Sequence, residues 1–431
     1  MLKREIMEWA SGERAGGGAT PLTVCDLTQS YSPSAGGGIS TYLREKRDWV
    51  LANTPHHLVQ IVPGPEDRVT TRGRHVFVEV GADLVRGSPD YRFILRPGAV
   101  RRLLAAYRPD LIESLCPYVL PWAAIEHRRR FPDTALVAGY RTDFPNAHVR
   151  RVGRQIFPAP IARGFHWLSL GYAKITYREF DWVYTLGEEA RATLGGLGLT
   201  RTSVLPLGVD TATFAPARRD PGYRARLGLG GDGPLLIYAG RVDREKSADQ
   251  LVAMFRRLPP ALGAALVMVG DGKLRVPLMA EAAGLPIAFP GFEADRASLA
   301  RALASADIYV SAMANETFGV SVLEAQACGL PVVGVASGAM PARVPAGLGL
   351  LGPVDDPAAM AADVEAVWAG DHRAMGRAAR AHVERDFSWA ATFRRLFDDI
   401  YPQALARAAA RRADRVRVDR REIAQAAGPP C

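Results

Sequence analysis

Cysteine is scarce in this 431-residue chain. Its four cysteines, Cys25, Cys116, Cys328 and Cys431, stand far apart. They lack the paired spacing of a zinc knuckle or a redox motif, so neither a structural metal nor a disulfide framework is expected. Such sparse use fits reduced thiols in a cytoplasm. Long apolar runs are missing as well: no stretch reaches the roughly 18 residues needed to span a bilayer, so any membrane contact is expected to be peripheral. Residues 1–20 mix charges with a glycine-rich stretch, have no apolar segment of the secretory type, and read as a flexible tail. Acidic residues are also in deficit, 45 against 54 lysines and arginines, a net charge of +9. That balance favours an anionic partner, whether nucleic acid, acidic lipid or a phosphorylated small molecule. Nucleic acid is the least supported of these, because no zinc spacing, recognition motif or aromatic-rich basic platform accompanies the charge.

What the chain does contain is apolar material in a regular order. At 48% hydrophobic residues it can fill more than one core, and its length points to two domains. Apolar runs at 22–27, 57–62, 75–80, 111–113 and 135–139 alternate with helical or polar stretches, as in a parallel sheet with crossover helices. A second series runs through 203–207, 235–239, 265–269, 287–289, 308–310 and 331–335, again uniformly apolar and so suited to strands covered on both faces. The expected architecture is α/β with two Rossmann-like, doubly wound domains at residues 21–205 and 206–388. Beyond them a C-terminal helix at 389–408, carrying an apolar stripe of Phe393, Leu396, Phe397 and Ile400, is expected to pack back on the first domain. A basic tail follows at 409–431.

Chemistry-bearing residues concentrate in the second series. After the run at 308–310 come Glu316-Thr317-Phe318-Gly319 and then a helical segment holding Glu324. Backbone N–H groups at such a helix start, with the helix dipole, favour a phosphate, and Gly319 permits close approach. Glu316 and Glu324 can face one pocket and grip sugar hydroxyls. Arg241 and Lys246, directly after the run at 235–239, supply positive charge for a diphosphate, Arg as a fork and Lys as a mobile point charge. Two glutamates eight apart, or an arginine and a lysine five apart, are commonplace on a solvated face. Following successive strand ends of one α/β domain, they converge at the carboxyl edge, where open sheets bind ligands.

Glu316-Thr317-Phe318-Gly319, followed by Leu323-Glu324-Ala325 and Cys328-Gly329-Leu330-Pro331-Val332-Val333, resembles the signature of the retaining glycosyltransferases of family four, whose fold is GT-B. Leu207-Gly208-Val209-Asp210 with Phe214, Tyr238-Ala239-Gly240-Arg241 with Lys246, Val269-Gly270-Asp271-Gly272, and Gly291-Phe292 stand in the family's order. The resemblance implies two domains facing across a cleft, and transfer of a hexose from a UDP- or GDP-linked sugar to a hydroxyl of a glycan, lipid or small molecule. It implies retention of configuration and neither metal nor cofactor. Arg241 and Lys246 would hold the donor diphosphate, Glu316 the transferred sugar, Glu324 the ribose, Phe318 and Gly319 the phosphate-side loop, and Phe292 the neighbourhood of the base. Gly37 and Gly38, within Gly36-Gly37-Gly38-Ile39, resemble the family's glycine loop, which faces the donor phosphates. A GT-B phosphorylase, a sugar-phosphate synthase and a non-catalytic sugar-nucleotide-binding protein remain open beside this reading.

Two segments depart from the family pattern. In Gly139-Tyr140-Arg141-Thr142-Asp143-Phe144-Pro145, Arg141 stands where a histidine is usual, making Arg141 and Asp143 candidate acceptor-site residues or a structural ion pair. After Ser337-Gly338, Ala339 and Ala342 replace a usual glycine and glutamate. Finally, Arg150, Arg151, Arg154 and Arg163 interleave with Phe157, Phe165, Trp167 and Leu168, a mixture suited to an acidic membrane's cytoplasmic face or to a helical face of the first domain.

Overall fold

Strands that are apolar on both faces need helices on both sides, and the chain supplies them twice. The computed structural model describes residues 21–31, 38–85, 92–141, 144–145, 149, 158–316 and 318–426. They divide into two compact units, one of Met1–Pro206 with Phe393–Cys431, the other Leu207–Thr392.

The first unit is built on an eight-stranded sheet in the order Thr202–Val204, Trp182–Thr185, Ala135–Tyr140, Leu111–Ser114, Thr23–Leu27, His57–Gly64, His75–Gly81, Arg68–Arg72. Only the last strand is antiparallel to its neighbour. Cys25, at the centre, lies opposite Val59 on one side and Ile112 on the other, within a core that includes Leu27, Ile61 and Leu136. The segment expected to open the second series is instead the outer strand Thr202–Val204 of this first sheet. The helix Glu188–Gly196 crosses over from Trp182–Thr185 and returns the chain beside it in parallel.

The helix Gly38–Asn53 rests on this sheet, and a fully buried ionic group fastens it. Lys46 Nζ donates to Asp26, to Glu113 and, at 2.7 Å, to the Tyr401 hydroxyl. Tyr401 donates to Glu113 at 2.6 Å, Tyr42 donates to Glu113 at 2.8 Å, and Gln60 donates to Asp26 at 3.0 Å. Burial alone would lower the lysine's pKa, but the two carboxylates carry it above its ordinary value. Because Tyr401 belongs to the C-terminal segment, the cluster also ties that segment to the sheet. Phe393 and Phe397 add ring contacts with Trp49 at 5.8 and 5.3 Å.

The C-terminal segment differs from expectation at both ends. Its attachment to the first unit begins at Phe393, because Trp389 packs against the Gly208 backbone in the second unit. The stretch expected to be a tail from residue 409 is helical through Ala426, in one helix Tyr401–Ala426, and Arg411 pairs with Asp181.

The second unit's sheet is six-stranded and parallel, in the order Ile287–Gly291, Ala265–Val269, Leu235–Ala239, Ile308–Ser311, Val332–Val335, Gly349–Gly352. Asp295, Asp356 and Asp371 cap three of its helices by accepting from N–H groups of the first turn, each such cap contributing about 1 kcal/mol. The strand order reverses between Leu235–Ala239 and Ile308–Ser311, where doubly wound sheets open a crevice at the carboxyl edge.

Candidate functional site

At that crevice the second unit has a cavity of about 360 Å³, lined among others by Lys246, Arg296, Glu316, Phe318, Gly319 and Glu324. Lys246 lies in the loop after Leu235–Ala239, held where its own N–H donates to Asp243 Oδ1 at 3.0 Å. Its Nζ donates to Glu316 Oε2 at 3.2 Å. The other oxygen, Oε1, accepts from the N–H of Gly319 at 3.0 Å and that of Phe318 at 3.4 Å. Gly319 adopts a left-handed φ of +83° as it leads into the helix Val320–Ala327. One end of the Glu316 carboxylate therefore meets a lysine and the other a helix N-terminus, the two kinds of group that accommodate an anion.

The backbone of Glu316 is itself fixed from behind. Its carbonyl accepts from Ala339 N–H at 2.8 Å, and a Cβ on Gly338 would come within 2.6 Å of that carbonyl oxygen, so only glycine permits the approach. Arg343 is buried beneath, donating from Nε to the Phe318 carbonyl at 2.7 Å and stacking on the Phe318 and Phe387 rings at 4.3 and 4.8 Å. Burial pushes its pKa down to about 10 against the opposing pull of Glu316, so it stays cationic at neutral pH.

Glu324 lines the same cavity and pairs with Arg296, whose guanidinium stacks on Phe214 at 4.6 Å. Burial raises the Glu324 carboxyl above its ordinary range, and Arg296 opposes that rise. The motif Leu207-Gly208-Val209-Asp210 acts at one remove: Asp210 Oδ1 accepts from the N–H groups of Ala212 and Thr213, each at 3.0 Å, in the turn that delivers Phe214 beneath Arg296.

Of the residues singled out in this unit, Lys246, Glu316, Phe318, Gly319 and Glu324 share the cavity. Arg241 does not line it. Its side chain is 60% exposed and spans Asp243 at 2.7 Å and Glu245 at 2.9 Å, carboxylates near enough in sequence to occupy its fork; the hydrogen bond to Glu245 chiefly raises its pKa. Phe292 does not line it either and is 77% exposed. Arg296, Tyr238, Ser311 and Ser321 line the cavity without having been expected there. The readable signal for Arg296 was its place at the first helical residue after the Asp295 cap, four beyond Phe292.

In the first unit Gly38 begins its helix, while Gly37 and Asp143 lie outside the described residues. Arg141, at the carboxyl end of Ala135–Tyr140, stacks on Tyr42 at 4.4 Å and donates from Nη2 to the Gly38 carbonyl at 3.4 Å. Its Nη1 is buried with no hydrogen-bond partner among the described residues. The usual histidine is thus replaced by a cation with a spare donor at the head of this helix. Cys25, Cys116 and Cys328 are buried free thiols, and burial pushes Cys116 and Cys328 up to about 12, so neither is poised as a nucleophile. Among the described residues no group of three or more His, Cys, Asp or Glu is placed to hold a metal ion.

On the helix Ala159–Tyr177 the side chains of Ile161, Phe165, Leu168 and Ile175 share one exposed face, with exposed Trp167 (72%), Arg163 and Lys174 beside it and no acidic residue along the helix. Arg150, Arg151, Arg154 and Phe157 lie outside the described residues. Among the described residues no helix is long and apolar enough to cross a membrane.

The chain is similar to proteins of known family and fold. Residues 36–213 match the family model described as Glycosyltransferase Family 4, and residues 220–382 that of the glycosyl transferases group 1. A GDP-mannose-dependent alpha-(1-6)-phosphatidylinositol dimannoside mannosyltransferase of Mycobacterium tuberculosis is 31% identical over 370 residues, 85% of this chain and 93% of that protein. A D-inositol 3-phosphate glycosyltransferase of Xylanimonas cellulosilytica is 32% identical over 64% of this chain and 70% of its own length. Among solved structures, a sucrose-phosphate synthase of Thermosynechococcus elongatus superposes with a TM-score of 0.67 at 22% identity, over 89% of this chain and 99% of that one. Anabaena HepE in complex with UDP gives 0.66 at 15% identity, over 88% and 100%.

Proposed function

The chain belongs to glycosyltransferase family 4 and is a nucleotide-sugar-dependent glycosyltransferase of the GT-B fold; from that premise we propose that it transfers mannose from GDP-mannose to a hydroxyl of an inositol phospholipid, with retention and without a metal ion. The observation that carries the donor half is the shared cavity of Lys246, Glu316, Gly319 and Glu324. Lys246 and the N–H groups ahead of Val320–Ala327 receive the diphosphate, Lys246 exchanging or sharing its bond to Glu316. Glu324, set by Arg296, accepts from the ribose hydroxyls, and Glu316 from those of the sugar. As the acceptor oxygen bonds to the anomeric carbon and the bond to the diphosphate breaks on the same face, a departing phosphate oxygen takes the acceptor's proton. The lysine and the helix start stabilise the charge that develops on the leaving group, the term that dominates in sites of this kind. No protein nucleophile is needed.

The lipid half is supported by the mannosyltransferase relative and by the exposed, apolar and basic helix Ala159–Tyr177, which suits an anionic membrane surface at the cytoplasmic side. The test is GDP release from GDP-mannose in the presence of phosphatidylinositol vesicles, with UDP-glucose as comparator, chelator present throughout, and NMR assignment of the product's anomeric configuration. GDP release with an α-linked product supports the reading. Turnover of UDP-glucose alone, an inverted product, or abolition by the chelator each removes the corresponding part.

A further inference from the structure

The first unit carries a second cavity, of about 320 Å³, on the flank of the helix Gly38–Asn53 that looks toward the outer strands of the sheet. Among the described residues Tyr31, Arg44, Arg47, Arg72, His75 and Phe77 line it, with no carboxylate in the lining. The cavity exists because the helix covers the central strands while the antiparallel strand Arg68–Arg72 extends the sheet beyond it. Three cations around one concavity repel one another; Asp48, Glu45 and Glu79 lie beside it, Glu79 near enough to act on Tyr31, and an anion inside the cavity lowers that repulsion further. Arg47 forks onto Asp48 at 2.8 and 3.0 Å, and among the described residues Arg44 has a loose contact with Glu45 at 3.6 Å as its ion pair. Arg72 has no ion-pair partner among the described residues.

The floor is polar and ordered. Gln60 Nε2 donates to Asp26 Oδ2 at 3.0 Å and to the Leu43 carbonyl at 2.9 Å, so its two hydrogens are used and its oxygen must accept from His75 Nε2, 3.0 Å away. That fixes the tautomer of His75 and leaves Nδ1 as the ring's acceptor. Burial, with Arg47 adding to it, pushes this histidine down to about 4, so it is neutral and the positive charge is that of the arginines alone. Tyr31 and Phe77 meet edge to face at 6.0 Å and add an apolar wall.

We propose that this cavity binds the phosphate ester of a polyol, the arginines Arg44, Arg47 and Arg72 taking the phosphate oxygens and His75 Nδ1 accepting from a polyol hydroxyl beside the Tyr31 and Phe77 rings. It anchors the acceptor, a role that rests on the glycosyltransferase reading; the binding itself does not. A phosphate of this kind is found both in a phospholipid headgroup and in a soluble ester.

The experiment titrates inorganic phosphate and inositol 1-phosphate into the full chain, the double variant Arg44→Ala/Arg72→Ala, and Thr70→Glu, which sets a carboxylate in the lining. Both variants alter exposed positions, and their melting temperatures confirm folding. Affinity for both probes falls about tenfold or more in each variant, while affinity for GDP-mannose is unchanged. Sedimentation with phosphatidylcholine vesicles, with and without phosphatidylinositol, separates the sources. Phosphatidylinositol-dependent binding lost in the variants assigns the site to a lipid headgroup, and vesicle binding unchanged while phosphate binding falls assigns it to a soluble ester. Equal affinity for phosphate and inositol 1-phosphate in wild type and both variants overturns the site. No binding of GDP-mannose to the wild type, with phosphate binding lost in the variants, overturns the proposed donor and leaves this site standing.

Discussion

Each unit has a lysine bound to a glutamate, and the two pairs serve opposite ends. Lys46 of the first unit is wholly buried, shared by Asp26, Glu113 and Tyr401, with the remaining carboxylate oxygens taken by Gln60, Tyr42 and Tyr184. Lys246 of the second unit is 24% exposed, has Glu316 as its one ion-pair partner among the described residues, and lines a cavity. A saturated pair without a cavity can only hold elements together, whereas a pair with unused donors beside space can change partners. Charge type and residue type do not tell the two clusters apart; saturation and access do.

The comparison breaks if the two lysines respond alike to removal. Lys46→Met leaves Asp26 and Glu113 buried without their cation and should destabilise the chain by about 3–5 kcal/mol in urea unfolding, the largest effect expected. Lys246→Ala should change unfolding free energy by about 1 kcal/mol or less, as for a partly exposed pair, yet lower transfer turnover by about 100- to 1000-fold. A Lys246→Ala protein that melts early, or a Lys46→Met protein of normal stability, would show that saturation is the wrong criterion. Tyr401→Phe sharpens the first half: it removes one donor to Glu113 and one acceptor from Lys46, so about 1–3 kcal/mol should be lost, with KM for the donor unchanged.

The smallest effect expected is on pH dependence. The folded-state pKa of Lys46 is raised above its ordinary value, so its stabilisation is complete below that ordinary value and is lost as pH climbs through the raised one. Between neutral and strongly alkaline pH the wild type should therefore lose more stability than Lys46→Met, as read from parallel unfolding curves. Parallel decline of the two proteins contradicts this linkage.

The cavity at the carboxyl edge of the second sheet was more legible in the sequence than the buried cluster, for a physical reason. Lys246, Glu316 and Gly319 follow strand ends within short loops and Glu324 sits in the helix that comes next, so local spacing carries their geometry. Lys46, Asp26, Glu113 and Tyr401 come from four distant places, and nothing local marks them as neighbours. Uniformly apolar runs such as 235–239 and 265–269 were readable as central strands. Arg68–Arg72, with an exposed pattern at the sheet edge, and glycine-bounded Gly349–Gly352 carry no such signal. The segment at 203–207 heads the second apolar series in sequence yet Thr202–Val204 pairs in the first sheet, because an apolar run does not state its partner. Arg241 shows the limit of motif reading: the residue was identifiable, but its competition with Asp243 and Glu245 is a matter of side-chain geometry.

The most direct measurement is a calorimetric titration of GDP into the wild type and Lys246→Ala, with Lys46→Met under conditions where it is folded as the control. If the second unit's cavity receives the diphosphate, Lys246→Ala binds GDP about tenfold or more weakly while Lys46→Met binds as the wild type does. Equal affinity in wild type and Lys246→Ala would contradict the account.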